Sequence, residues 1–451
     1  MSDSSSWTAD LRQMGRVAAP VVLINVGLQL MGVVDTLMVG RLGGSAIAAV
    51  ALGNFYFFNV SVFGIGLLMV IDPVVSQAIG AAAHDDAARG IQRGYVLAVL
   101  VALAVMLALW PGDTILTWAR QPASVVQDTA VYARIRSLGA LPFFLFLASR
   151  QALQAMGAAR PVIVAVVFGN VVNLVANWAF IHGHLGAPAM GVAGSGTATA
   201  LATWSMCACL AITAHRELAP YVRPWRPEST AWEPLQRTLR LGIPIGTQFF
   251  FESFAFGLTA LFMGWFGAPS LAGHEIALNM AALTYMVPLG ISSAAAVVVG
   301  RAIGRGDMLA ARRDAVAAIL VGVGFMTLTA VVFLVAPTWL ATRYTTEPAT
   351  LAVAVALIPL AGVFQVFDAL QAVTSGVLRG TGDTRIPAVL HLVAFWGVGI
   401  PLGMWLGFQT PLRERGLWIG LVSGLAAAAV LQSLRVRSRL RGTIARVQVD
   451  R

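Results

Sequence analysis

Three carboxylic acids stand where the surrounding chain offers them no water. Asp35 lies in residues 21–39, Glu252 in LGIPIGTQFFFESFAFGLTALFMGWFG and Asp368 in LIPLAGVFQVFDALQAVTSGVL; all other residues of those runs are apolar, small or uncharged. An Asp at a bilayer centre costs at least about 2.5 kcal/mol. Groups that expensive are kept for binding, and what suits a carboxylate is a proton or a cation. A carboxyl withdrawn from water takes up a proton more readily and can release it when a cation arrives, so one group can exchange the two. A hard ion such as Na+ asks for oxygen ligands, which Glu252 and Asp368, with Glu275 from the next span, would supply.

Neutral polar residues accompany the acids. Gln248 and Glu252 are i, i+4 neighbours on one helix face, and Asn279 offers another oxygen. Asn170, Asn173 and Asn177 recur at helical spacing with Asp35 as their expected partner; they read equally well as hydrogen-bond glue between helices. Phenylalanines crowd the same stretches, and flat apolar walls beside a few acids suit a lipophilic cation. Phe251 and Phe364 are the cleft aromatics this predicts, although packing or lipid contact accounts for many of the others. Asp72, next to Pro73 near an inner helix end, reads as structural. Pro20 removes a backbone bond from the helix that carries Asp35 and predicts a hinge there.

Composition says what holds these groups. The chain has 451 residues, 58% hydrophobic and 11% charged, with mean hydropathy +0.79, where soluble domains carry roughly 25% charged residues. At about 20 residues per span, twelve transmembrane helices are predicted: 17–39, 47–73, 91–110, 127–150, 161–182, 190–213, 240–265, 270–299, 312–336, 350–376, 386–408 and 416–434. All 30 basic residues are Arg. Without Lys there is neither a Walker A phosphate lysine nor a Schiff-base amine, so the chain carries no ATP motor of its own. Seven arginines, Arg41, Arg120, Arg134, Arg136, Arg343, Arg413 and Arg415, fall on one side of the predicted spans and the other 23 on the opposite side. The positive-inside rule then places both termini in the cytoplasm, and the net charge of +10 reflects topology, not nucleic-acid binding. Cys207 and Cys209 are two apart in one helix and point to different faces, which argues against a disulfide. No metal quartet is present; no metal is expected beyond Na+ at Glu252 and Asp368, and no cofactor.

The spans divide six and six around the polar stretch 215–240, which holds four prolines. Across it the chain repeats: Pro20 matches Pro244, Gly40 matches Gly264, Gly43 matches Gly267, Ala78-Ile79-Gly80 matches Ala302-Ile303-Gly304 and Arg89 matches Arg313, each 224 residues apart. QAMGAARP at 154–161 parallels RGTGDTRIP at 379–387. A period this long means two copies of one bundle, and an even number of spans makes them parallel repeats. The predicted organisation is an all-α integral membrane protein with an N-terminal bundle at 1–214, a cytoplasmic linker at 215–240, a C-terminal bundle at 241–434 and a basic cytoplasmic tail at 435–451. Two similar bundles on a hydrophilic linker suggest a rocking machine with substrate between its halves.

Several segments resemble signatures of the multidrug and toxic compound extrusion (MATE) transporters. VVDTLMVGRLGGSAIAAVALGN resembles their first-to-second-helix signature, GIGLLMVIDPVVSQAIGAA the second helix, GHEIALNMAALTYMVPLGISSAAAVVVGRAIGRGD the eighth, and VLRGTGDTRIP the loop before the eleventh. The likeness covers nearly the whole chain and is greatest to the NorM type, which has a Glu in the seventh helix and an Asp in the tenth. The resemblance implies two six-helix bundles forming a V-shaped cleft, and export of organic, often cationic, compounds in exchange for inward H+ or Na+. By position it makes Asp35 the first-helix acid and Glu252 and Asp368 the cation-binding carboxylates. Two departures stand out. Phe364 occupies a position where NorM-type members commonly have Tyr, and Glu275 one where many bacterial relatives have Gln.

The expected partners are a small lipophilic or cationic substrate, the coupling cation and the lipid bilayer of a bacterial inner membrane, with the protein a monomer. An enzyme is not expected: a prenyltransferase would need aspartate-rich motifs, and Asp85-Asp86 is a lone pair. A lipid-linked glycan flippase would need a strongly basic interior. An exporter of one metabolite or siderophore would use the same architecture and stays open as an alternative.

Overall fold

The computed structural model describes residues 4–118 and 121–450; Arg120 and Arg451, both counted in the charge asymmetry, lie outside them. The elements are α1 (Ser4–Val39), α2 (Gly44–Leu68), α3 (Ile71–Gly80), α4 (His84–Leu109), α5 (Gly112–Trp118), α6 (Ala123–Ser137), α7 (Ala140–Met156), α8 (Arg160–His182), α9 (Val192–Thr213), α10 (His215–Val222), α11 (Trp232–Phe266), α12 (Ala268–Gly304), α13 (Met308–Val335), α14 (Pro337–Ala341), α15 (Pro348–Gly380), α16 (Arg385–Leu392), α17 (Ile400–Gln409) and α18 (Glu414–Arg441), with a π-helical stretch Val393–Gly399 joining α16 to α17. Among the described residues, eleven helices are long and apolar enough to cross a membrane, or twelve when the pair Val125–Ser137 and Ala140–Met156, bent by 50°, is taken as one span. No strand occurs among the described residues. This is the economy a bilayer imposes, since a helix satisfies its backbone internally.

Two compact units emerge. Unit N contains Leu23–Val75, Ala83–Gly246 and Gln448–Arg451; unit C contains Met1–Val22, Ser76–Ala82 and Thr247–Val447. Two long helices therefore change unit along their length, α1 after Val22 and α11 after Gly246. In each, a proline inside the helix, Pro20 or Pro244, lies two residues before the change.

Within unit N, Val39, Ala49, Val50, Tyr132 and Ile181 form a buried cluster. Gln92 of α4 secures the linker. Its amide nitrogen donates to the carbonyls of Tyr221 (2.9 Å) and Pro224 (3.1 Å), while its oxygen accepts from Arg226 N (2.9 Å) and Ser229 Oγ (2.8 Å). The free thiols of Cys207 and Cys209 lie on α9.

Unit C has two apolar clusters, one around Phe262, Leu357, Phe395, Trp418 and Leu421, the other joining Met14 and Ala18 of α1 to Ile291, Val299, Val377 and Leu440. Helices approach closely where side chains vanish. A Cβ added at Gly420 of α18 would stand 2.3 Å from Gly403 Cα of α17, so only glycine fits this crossing.

The duplicated sequence has a duplicated backbone. Gly43 and Gly267 cap their turns at φ +108° and +118°, and Gly157 and Gly382 both adopt φ +76°. These left-handed positions favour glycine, which is why the repeat survives most visibly there.

Candidate functional site

The acids fall into two clusters, one in each unit. In unit N, Asp35 on α1 is 1% exposed. Asn173 and Asn177, i, i+4 neighbours on α8, donate through Nδ2 to its Oδ1 at 2.9 and 2.7 Å. Thr199 Oγ1 on α9 lies 2.8 Å from its Oδ2 and 2.9 Å from the Ser195 carbonyl. A hydroxyl carries one proton. Thr199 therefore either donates to an ionised Asp35, or donates to Ser195 and accepts from a protonated Asp35. The Thr199 hydroxyl thus has a hydrogen-bond partner in either charge state.

Sequence reasoning expected three asparagines here. Asn173 and Asn177 are present, but Asn170 donates instead to the carbonyls of Gly27 and Val166, each at 2.9 Å. It lies too far back along α8 and ties that helix to the α1 backbone. Thr199 was missed, although hydroxyls at 195, 199 and 203 mark one face of an apolar helix.

Unit C holds Glu252 on α11, its side chain 14% exposed, and Asp368 on α15, 6% exposed. The two carboxyls feel each other's charge, and Tyr285 of α12 lies in the field of both. Like charges repel, and a proton or metal cation at either carboxyl would relieve the repulsion. His391 was also missed. It lies on α16, 1% exposed, with Nε2 3.7 Å from Glu252 Oε2 and its ring stacked on Phe395 at 4.5 Å. Gln371 Nε2 is 3.1 Å from His391 Nδ1; when that amide nitrogen donates, the imidazole proton stands on Nε2, facing Glu252. An ionisable residue in an otherwise apolar run was again the available signal.

The remaining predicted residues are dispersed. Gln248 shares the Glu252 face, but its amide nitrogen reaches Ser375 Oγ at 3.2 Å. Glu275 and Asn279 are exposed on α12, and no bond joins either to Glu252 or Asp368 among the described residues. Phe251 is half-buried, edge-on to Trp396 at 5.8 Å. Phe364 is 2% exposed, packed between Phe256 at 6.0 Å and Trp418 at 5.8 Å. Its ring belongs to the buried apolar cluster of unit C, between α11 and α18. Pro20 lies within α1, which continues helical past it. Among the described residues, no group of three or more His, Cys, Asp or Glu side chains is arranged to hold a metal ion, and none of the three buried acids is paired with an arginine.

The chain is similar to known proteins over nearly its whole length. The MatE family model matches twice, over residues 20–179 and 244–405, so that each match begins at one of the paired prolines. The chain is 36% identical over 437 residues to a probable multidrug resistance protein NorM of Mesorhizobium japonicum, covering 94% of this chain and 93% of that one. It is 37% identical over 439 residues to the multidrug resistance protein NorM of Burkholderia vietnamiensis, covering 95% and 94%. Among solved structures, the eukaryotic MATE transporter AtDTX14 superposes with a TM-score of 0.87 at 22% identity, over 96% of this chain and 99% of that one. An outward-facing multidrug resistance MATE transporter of the MOP superfamily gives 0.86 at 20% identity, over 98% and 99%. At these identities the structural likeness speaks for the fold alone.

Proposed function

The chain belongs to the MatE family and is a multi-pass multidrug efflux transporter, and we propose that it works as an antiporter, exporting small organic molecules while H+ or Na+ moves inward through the buried acids. Asp35 is the proton-operated switch. Ionised, it draws donors from α8 and α9 onto α1; protonated, it releases part of that hold, and α1 bends near Pro20. Glu252 and Asp368 form a second cation locus with His391 beside it, where a proton or Na+ relieves the repulsion between the carboxyls. Cargo and coupling ion compete, so occupancy by one expels the other.

The observation that carries this reading is the environment of Asp35: buried, held by three donors on two other helices, and without an arginine partner. A structural carboxylate at this depth would be expected to have a cationic partner. In the same reading the repeats 1–214 and 241–434 alternate access around the linker 215–240, with the tail 435–451 on the cytoplasmic side of a bacterial inner membrane and the protein a monomer. The arginine asymmetry supports that orientation. The test is reconstitution into vesicles with ethidium as cargo and a Na+ or a pH gradient imposed separately. Ethidium movement under one gradient identifies the coupling ion; movement under neither overturns antiport.

A further inference from the structure

In unit N, an acid from the segment after α18 fills a site built from arginine. Asp450 meets α4, where its Oδ2 accepts from Arg89 Nε at 2.9 Å and its Oδ1 from Arg93 Nη2. The two guanidinia belong to i, i+4 neighbours and share one face of the helix. Arg93 is the deeper member, its side chain 1% exposed, while those of Arg89 and Asp450 are each 24% exposed. The acid is therefore the accessible half of its pair with Arg93. Besides the carboxylate, unit N holds this stretch by the buried Val449 side chain and by a long hydrogen bond from Arg237 Nη1 to the Val449 carbonyl, 3.4 Å. None of residues 443–450 belongs to a helix or a strand, and a segment so lightly tied opens locally at little cost.

Asp450 does not complete the site. Arg93 Nε is buried and meets no acceptor among the described residues. A carboxylate has two oxygens, and each is already bonded to one of the arginines. Burying a guanidinium is costly unless its donors are met. A phosphate brings a further oxygen to the same place, and guanidinia bind phosphate through paired donors. Charge favours such an anion as well. Asp86 holds Arg89 Nη2 at 2.5 Å, so without Asp450 the two arginines face one acid.

We propose that Arg89 and Arg93 form a phosphate-binding site in which Asp450 is a tethered competitor, so that a phosphate, free or on an anionic lipid headgroup, takes its place. The inference goes beyond the export reading and does not depend on it. The test uses the purified full chain and reads the unfolding temperature as inorganic phosphate is raised at constant ionic strength, because a ligand of the folded state raises that temperature. A short tether holds the carboxylate at an effective concentration of about millimolar. Asp450→Asn is therefore expected to show an apparent phosphate affinity about tenfold or more above wild type. Adding Arg93→Met to Asp450→Asn should abolish the saturable response and leave only the general effect of phosphate as a salt. Mixed micelles in which phosphatidylglycerol replaces phosphatidylcholine separate the two sources: stabilisation by phosphatidylglycerol makes the lipid a ligand, and a response to inorganic phosphate alone confines the site to the free anion. Equal affinity in wild type and Asp450→Asn, a response that survives Arg93→Met, or no response to either probe overturns the proposal. If the double variant does not elute as a single folded species, Arg89→Gln in the Asp450→Asn background decides: phosphate affinity must fall by about tenfold, the worth of a charge-assisted bond, and unchanged affinity overturns the site.

Discussion

Asp35→Asn separates the switch from the scaffold. The substitution keeps shape and removes the titrating proton. The new side chain's oxygen can still accept from Asn173 and Asn177, and its amide nitrogen can donate to Thr199, whose hydroxyl then turns to the Ser195 carbonyl already 2.9 Å away. Three charge-assisted bonds become neutral ones, a loss of about 1 kcal/mol each, offset by no longer burying a charge. Net stability should move by less than about 2 kcal/mol. Asp35→Ala behaves differently. Asn173 and Asn177, both fully buried, lose their acceptor, at about 1–3 kcal/mol each. Thr199 is spared, because it keeps Ser195. The alanine variant should therefore unfold at a clearly lower temperature than wild type, and the asparagine variant close to it. Transport should fail in both. Coupling of about 1–3 kcal/mol between proton and cargo corresponds to about 5- to 150-fold, and ethidium efflux from vesicles under an imposed pH gradient should fall within that range for Asp35→Asn. An asparagine variant that is correctly inserted and pumps at the wild-type rate would refute the assignment of Asp35 as the switch, whatever its stability.

Other expectations follow from the same geometry. Glu252→Gln and Asp368→Asn should each change which gradient drives ethidium movement, or how strongly, in the vesicle assay; an unchanged ion profile in both would move the second cation locus elsewhere. Gly420→Ala forces a Cβ to within 2.3 Å of Gly403 Cα and should cost about 3 kcal/mol or more, read as loss of membrane-inserted protein. Gly257→Ala, with nothing within 4 Å of its added Cβ, should be neutral or stabilise by up to about 1 kcal/mol. Truncation after Val447 removes Asp450, the ion-pair partner of Arg93, whose side chain is 1% exposed. Thermal stability should drop by about 1–3 kcal/mol, and Arg93→Met in the truncated chain should restore part of it; no drop would mean that the pair adds nothing.

The fold was readable because a membrane leaves few choices. Span positions followed from apolar length, and the doubling followed from glycines and prolines whose backbone demands outlast side-chain drift, as at Gly157 and Gly382. Asp35, Glu252 and Asp368 were readable because a charge in an apolar run is conspicuous. Their partners were less so. Thr199 and His391 reach the acids from other helices, and which turn of a helix faces which neighbour is decided by packing, not spacing. The same limit misplaced Phe364 in a cleft and Asn170 on Asp35.

Duplication itself points to where the chemistry lies. Carried across the repeat, Asp35 falls on Thr259 and Glu252 on Leu28, each 224 residues away, while Asp368 falls on Phe143 at the spacing set by Gly157 and Gly382. Among the described residues, Thr259 bonds back to its own helix, at the Ala255 carbonyl, 3.0 Å away. The scaffold is shared by the two halves, but none of the three acids is. Had the acids served the scaffold, the demand for them would recur wherever the backbone recurs, as it does for the capping glycines. Under the proposed antiport, their confinement to one copy each assigns the two units different work on the coupling ion. Introducing an acid at Thr259 should therefore not substitute for Asp35: Thr259→Asp combined with Asp35→Asn should pump no better than Asp35→Asn alone in the ethidium assay. Rescue by that pair would show the two units to be interchangeable and would undo the division of roles.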